Sequence, residues 1–159
     1  MVFVDFTNSQ DLVNVEPLHV ESLVTSILGF KNVVCDEISI HFVSKEEICE
    51  LHADYFNDPT PTDCITFPID SEEDSTYRIL GEIFVCPEVA ISSCKEFKTT
   101  LDYELSLYIV HGILHLLGYD DIEEEDEIIM RKEESLSLEH LKKNHLLLPV
   151  QETNYSFKE

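Results

Sequence analysis

Val2, Val4 and Phe6 alternate at the start of the chain, the two-residue period of a strand with one buried face. The period then lengthens. Val20, Leu23, Val24, Ile27 and Leu28 recur every three or four residues, which predicts a helix opened by Pro17 and closed by Gly29. Ile38, Ile40 and Phe42 return to alternation as a second strand. Ser44 and Glu47 have the spacing of a capping box, and the helix they open carries Ile48, Leu51 and Tyr55 on one face. Asn57 to Asp63, with Pro59 and Pro61, is a loop. Cys64 to Ile69 and Ile79 to Cys86 predict two further strands around an acidic loop from Asp70 to Thr76, and Pro87 to Phe97 predicts a short helix.

The next helix, with Thr99 and Asp102 as its capping residues, runs through Leu117. Leu105, Leu107, Ile109, Val110, Ile113, Leu114, Leu116 and Leu117 make it apolar nearly all round, so it belongs in the middle of the fold. Gly118 ends it. A last helix from Glu123 to Lys143 is amphipathic through Ile128, Ile129, Leu136 and Leu141. The order predicts an α/β fold of α+β type: a mixed four-stranded sheet packed with helices around a central buried helix. Residues 1–143 make a single domain, and 144–159 a loosely ordered C-terminal tail.

Composition narrows the function. The 159 residues hold 33 acidic side chains against ten lysines and arginines, a formal charge of −23. Nucleic-acid affinity depends largely on neutralising phosphates, so the charge argues against broad electrostatic binding to a phosphate backbone. An RNA contact needs a local basic patch or a basic partner, and no DNA partner is expected. The five cysteines form no C-x-x-C pair and each lies in or beside an apolar run, which predicts reduced thiols and a cytoplasmic compartment. No basic region followed by an apolar stretch marks a secretory signal, and no apolar run is long enough to span a membrane.

Chemistry concentrates at one place. His111 and His115 stand four residues apart on the central helix, so both imidazoles leave the same face, roughly 6 Å apart along the axis. Gly118 lets the chain turn back, and Asp121 arrives six residues after His115, with Asp120 beside it. Unpaired imidazoles are costly on so apolar a helix. Three ligands with an open fourth position describe a catalytic zinc site, one ion per chain, which brings the pKa of water towards ~7. Zinc peptidases of the H-E-x-x-H type carry their general base where this chain has Gly112, so that mechanism is not available. The acids from Asp120 to Glu127 fit a solvated helix start better than a second cation site.

The segment His111-Gly-Ile-Leu-His115-Leu-Leu-Gly118-Tyr119-Asp120-Asp121 resembles the signature H-G-x-L-H-L-x-G-Y-D-H of the YbeY family, at every fixed position but the last. Pro61-Thr62-Asp63-Cys64-Ile65-Thr66-Phe67-Pro68 and Leu80-Gly81-Glu82-Ile83-Phe84-Val85-Cys86-Pro87-Glu88 are similar to the family as well. The resemblance covers about residues 1–143. It implies a single-strand-specific endoribonuclease of ribosomal RNA maturation and small-subunit quality control, using a zinc-activated water. Its partners would be ribosomal RNA or the small ribosomal subunit, reached in part through ribosome-associated proteins. Asp121 stands where the family has its last histidine ligand.

Two departures cut against catalysis. The family's arginine after tyrosine, which faces the RNA phosphate, is Phe56 here, and a nearby family lysine aligns with Asp58. Phosphoryl transfer depends on cations at the phosphate. Two alternatives therefore stay open: a non-catalytic, metal-stabilised ribosome assembly factor, and a zinc hydrolase of a non-RNA substrate. No catalytic general base is assigned from the sequence, and Arg78 is an alternative source of the lost charge.

Overall fold

The computed structural model describes residues 1–69 and 76–153, so the acidic loop expected at 70–76 lies outside the described residues but for Thr76. In chain order the elements are β1 (Phe3–Asn8), β2 (Val13–Val15), α1 (Pro17–Phe30), β3 (Glu37–Phe42), α2 (Lys45–Phe56) and β4 (Cys64–Pro68). Then come β5 (Ile79–Val85), α3 (Pro87–Phe97), α4 (Leu101–Leu116), α5 (Glu124–Lys143) and β6 (Val150–Glu152). The main sheet is four-stranded and mixed, in the order β1-β3-β5-β4. β1 and β5 run parallel to β3, and β4 is antiparallel to β5.

Alternation along the strands feeds two cores. Ile38, Ile40, Phe42, Ile83 and Val85 join the large cluster shared with α1, α4 and α5. Ile65, Phe67 and Phe84 point the other way, into a smaller cluster with Ile48 and Leu51 of α2. Cys64 precedes Ile65 and packs with the large cluster, so β4 offers one face to α4 and the other to α2. α4 packs against α1, α3, α5, β4 and β5, which is the central place its all-round apolar sequence predicts. Its imidazoles are thereby held between a sheet and a helix rather than on a loop.

Local details correct several expectations. α1 passes Gly29 and is capped by Lys31, with Asn32 taking the left-handed conformation beyond it. The N-cap of α4 is Thr100, whose side chain accepts the Tyr103 N–H. Thr99 instead donates its hydroxyl to the buried Glu104 at 2.7 Å, and Asp102 accepts the Val150 N–H at 3.1 Å. Ser44 caps α2 as expected by accepting the Glu47 N–H, whereas the Glu47 carboxylate accepts a hydrogen bond from the Ser9 hydroxyl. On α5 the buried stripe is Met130, Glu134, Ser137, Leu138 and Leu141, while Ile128, Ile129 and Leu136 face outward.

The expectation of a loosely ordered tail is corrected for residues 144–153. Leu148 is fully buried, its N–H bonded to the buried Ser106 hydroxyl at 2.8 Å, and β6 pairs antiparallel with β2. Both strands are three residues long and lie far apart in sequence, so neither gives a local signal. Residues 154–159 lie outside the described residues. No described helix is long and apolar enough to cross a membrane, and all five cysteines are free thiols.

Candidate metal centre

His111 and His115 occupy the last turns of α4, and the turn that follows decides what faces them. Gly118 adopts φ +102°, a conformation rarely open to residues with a Cβ. The Gly118 and Tyr119 N–H groups close back onto the His115 and Leu114 carbonyls, each at 3.0 Å. Lys31, just past α1, donates to the Tyr119 hydroxyl at 3.0 Å and pairs with Glu133 of α5, fastening the turn from two sides. The reversed chain then delivers Asp121.

The three side chains expected as ligands come together. The Nε2 atoms of His111 and His115 are 3.0 Å apart, and Asp121 Oδ2 lies 3.6 Å from the first and 3.7 Å from the second. Ligands about 2.0–2.1 Å from a tetrahedral ion lie about 3.3–3.4 Å from one another, so the donor triangle has the size that one ion requires. These are the residues whose ligand atoms cluster closely enough to hold a metal among the described residues. The neighbouring aspartate does something else: Asp120 Oδ1 accepts the Asp121 N–H at 2.7 Å and so orients the backbone at Asp121.

Behind His111 stands a pair that sequence reasoning missed. The ring Nδ1 lies 2.5 Å from Oε2 of the buried Glu134, and Arg131 Nη1 donates to both carboxylate oxygens at 2.6 and 2.7 Å. With Nδ1–H donated to a carboxylate, Nε2 keeps its lone pair, the form in which imidazole binds a metal. Burial pushes the Glu134 carboxyl upward, but hydrogen bonds from His111 and Arg131 outweigh it and leave the group below the usual carboxylate range. A sequence signal did exist. Glu134 lies four residues after Met130 and seven before Leu141, a charge on the buried stripe, where charge persists only if paired.

Gly112 has a steric reason. A Cβ there would come within 2.6 Å of Ile83 Cγ2 on β5 and 3.2 Å of Cys64 Sγ on β4. Helix and sheet touch at this residue, which leaves no room for a glutamate beside His111. The adjacent Cys64 thiol is half-buried, and desolvation pushes its pKa well above the ordinary value, so it stays protonated.

All three candidate ligands open onto a cleft of about 340 Å³. Its other walls include Cys64 and Thr66 of β4, His52 and Phe56 of α2, and Ile122. His52 was not singled out from the sequence; its Nδ1 lies 2.7 Å from the Thr60 carbonyl and ties α2 to the loop. Asp58 accepts from the Thr60 N–H at 2.9 Å and from its hydroxyl, which holds its carboxyl below the usual range. Arg78 is elsewhere, its guanidinium donating to the Val34 carbonyl at 2.8 Å. The start of α5 is acidic through its first turn, with no side-chain cap.

With this geometry in hand, a family model described as "Endoribonuclease YbeY" matches residues 5–142. The chain belongs to the YbeY family. The protein named endoribonuclease YbeY in Protochlamydia amoebophila is 45 % identical over 148 residues, covering 93 % of this chain and 99 % of its own. Its namesake in Chlamydia muridarum is 39 % identical over 144 residues, covering 89 % of each. The solution structure of TM1509 from Thermotoga maritima superposes with a TM-score of 0.62 at 28 % identity, covering 89 % of this chain and 91 % of that one. The mixed α/β architecture is therefore that of the YbeY family, with two of the candidate donors on α4 and Asp121 on the segment that follows it.

Proposed function

We propose that this chain is a zinc-dependent endoribonuclease, specific for single strands, that acts in ribosomal RNA maturation and small-subunit quality control. It would work in the cytoplasm on ribosomal RNA or the small ribosomal subunit, reached in part through ribosome-associated proteins. One observation carries the reading: a YbeY-family chain brings two imidazoles and a carboxylate together at the wall of a cleft. His111, His115 and Asp121 would hold the ion. When bound, zinc supplies Lewis acidity for activating water and polarising a phosphodiester.

The chain's own residues do the rest. Glu134 holds His111 in the tautomer that offers Nε2, and Arg131 keeps Glu134 ionised and in place. Lys31 and Tyr119 anchor the turn that aims Asp121. Incubation of purified protein with an RNA containing both single-stranded and paired segments tests the reading. Cleavage confined to single-stranded segments, lost with chelator and restored by zinc, is the expected result. Intact RNA in every condition would sink it.

A second reading draws on a separate observation. No lysine or arginine lines the cleft among the described residues, and the family resemblance implies cations where this chain has Phe56 and Asp58. That favours an assembly factor which keeps its metal for structure, and the same incubation decides between the two.

A further inference from the structure

The candidate ligands share their cleft with apolar side chains left in water. Phe56 is 53 % exposed and Ile122 is 81 % exposed, and both line it. Phe56 ends α2, and Ile122 comes from the segment between α4 and α5. The remaining charge there is negative, from Asp120 and Asp121.

Phe56 is held in position. Asn57 caps α2 in the left-handed conformation, its N–H donating to the Ala53 carbonyl at 3.1 Å, and the Asp58 N–H reaches the His52 carbonyl at 3.2 Å. The His52 ring lies 5.8 Å from the Phe56 ring. An ordered helix end thus places an exposed aromatic ring in the same cleft as the candidate metal ligands.

The parts of an RNA fit this wall unequally. Apart from the ion itself, the lining side chains offer a phosphate carboxylates and no lysine or arginine among the described residues. A nucleobase is uncharged and planar, and it stacks on aromatic rings whatever its sequence. A base inside a duplex has both faces covered already, so the base that fits is an unpaired one.

We propose that Phe56 is a stacking platform for an unpaired base beside the cut phosphodiester, with Ile122 packing against the same base. The proposal rests on the endoribonuclease reading and names how the substrate is held. Binding runs through stacking and little through phosphate neutralisation, which suits a chain of charge −23.

Fluorescence anisotropy with a labelled, unstructured oligoribonucleotide tests this, using wild type, Phe56→Ala and Phe56→Tyr. A matched oligomer with abasic positions is the second probe. Phe56→Ala is expected to weaken binding about tenfold to a hundredfold, while Phe56→Tyr binds nearly as wild type. Wild type binds the abasic oligomer as poorly as Phe56→Ala binds the intact one. The logarithmic salt slope stays below about one neutralised phosphate, roughly 0.7 in magnitude. Equal binding by Phe56→Ala, or equal binding of the abasic oligomer, overturns the proposal. So does displacement of the RNA by an apolar peptide that binds wild type but not Phe56→Ala, since the wall would then dock protein. Chelator-sensitive cleavage, measured alongside, separates the failures. Cleavage that is unchanged in Phe56→Ala sinks the platform alone, and wild type that neither binds nor cuts RNA sinks both readings.

Discussion

His111 and Phe56 line one cleft, yet they are secured by different means. His111 leaves a buried helix, carries a carboxylate on its Nδ1, and is backed by an arginine on that carboxylate. Phe56 sits at an exposed helix end, held by a left-handed cap and a loop bond from His52. Polar restraint surrounds the first, and an open apolar face surrounds the second. One half of the cleft carries the candidate donor triangle of His111, His115 and Asp121. The other half carries the exposed apolar side chains Phe56 and Ile122 and no lysine or arginine among the described residues. The two halves therefore separate under mutation: changes in one move metal retention, and changes in the other move RNA affinity.

The largest effect belongs to the donor triangle. His115→Ala is expected to remove both metal retention and chelator-sensitive cleavage, read by elemental analysis and an RNA assay on the same sample. Asp121→Ala should lose far more metal than Asp120→Ala, because only the first reaches both imidazoles. Asp121→His should keep or tighten zinc, since imidazole is a good zinc ligand.

Next comes the opposite wall. Phe56→Arg combined with Asp58→Lys is expected to raise cleavage by about 10²–10³-fold, the usual cost of a missing cation at the reacting group. Because the variant trades the Phe56 platform for charge, its RNA binding should become steeply salt-dependent, tighter at low salt than at high salt. Arg78→Ala should leave cleavage unchanged, since that guanidinium is bonded to the Val34 carbonyl away from the cleft. A double variant indistinguishable from wild type would show that charge is not what the wall lacks.

Smaller again is the support behind His111. Glu134→Ala should weaken metal binding about 10–100-fold, as loss of a carboxylate behind a metal-bound histidine commonly does. Competition with a zinc chelator of known affinity measures it, and unchanged affinity would mean that Glu134 serves packing alone. Gly112→Ala should act mainly on stability, costing about 1–3 kcal/mol for the contact with Ile83 and Cys64, read from urea unfolding.

The parts legible in the sequence are those with local causes. Alternation marked β1 and β3, segments flanking an acidic loop marked β4 and β5, a nearly full apolar circumference marked α4, and the i,i+4 histidines with Gly118 marked the candidate ligands. Parts that depend on distant partners were not legible. β2 and β6 are three residues each and pair across most of the chain. The face of α5 was misplaced because Ile128 and Ile129 look like core, yet Glu134 must turn inward to reach His111. Phe56 was visible as an exchange, but only the structure puts its exposed ring in the same cleft as the candidate ligands.

The central claim is a single ion held by His111, His115 and Asp121, and metal content measures it most directly. Two histidines with a carboxylate also serve iron(II) oxygenases, so the identity of the metal matters as much as the amount. Elemental analysis of protein purified at neutral pH without chelator should find about one zinc per chain in wild type and none in His115→Ala. Wild type free of transition metal, or one retaining zinc after His115→Ala, would contradict the account, and stoichiometric iron in place of zinc would overturn the proposed cofactor.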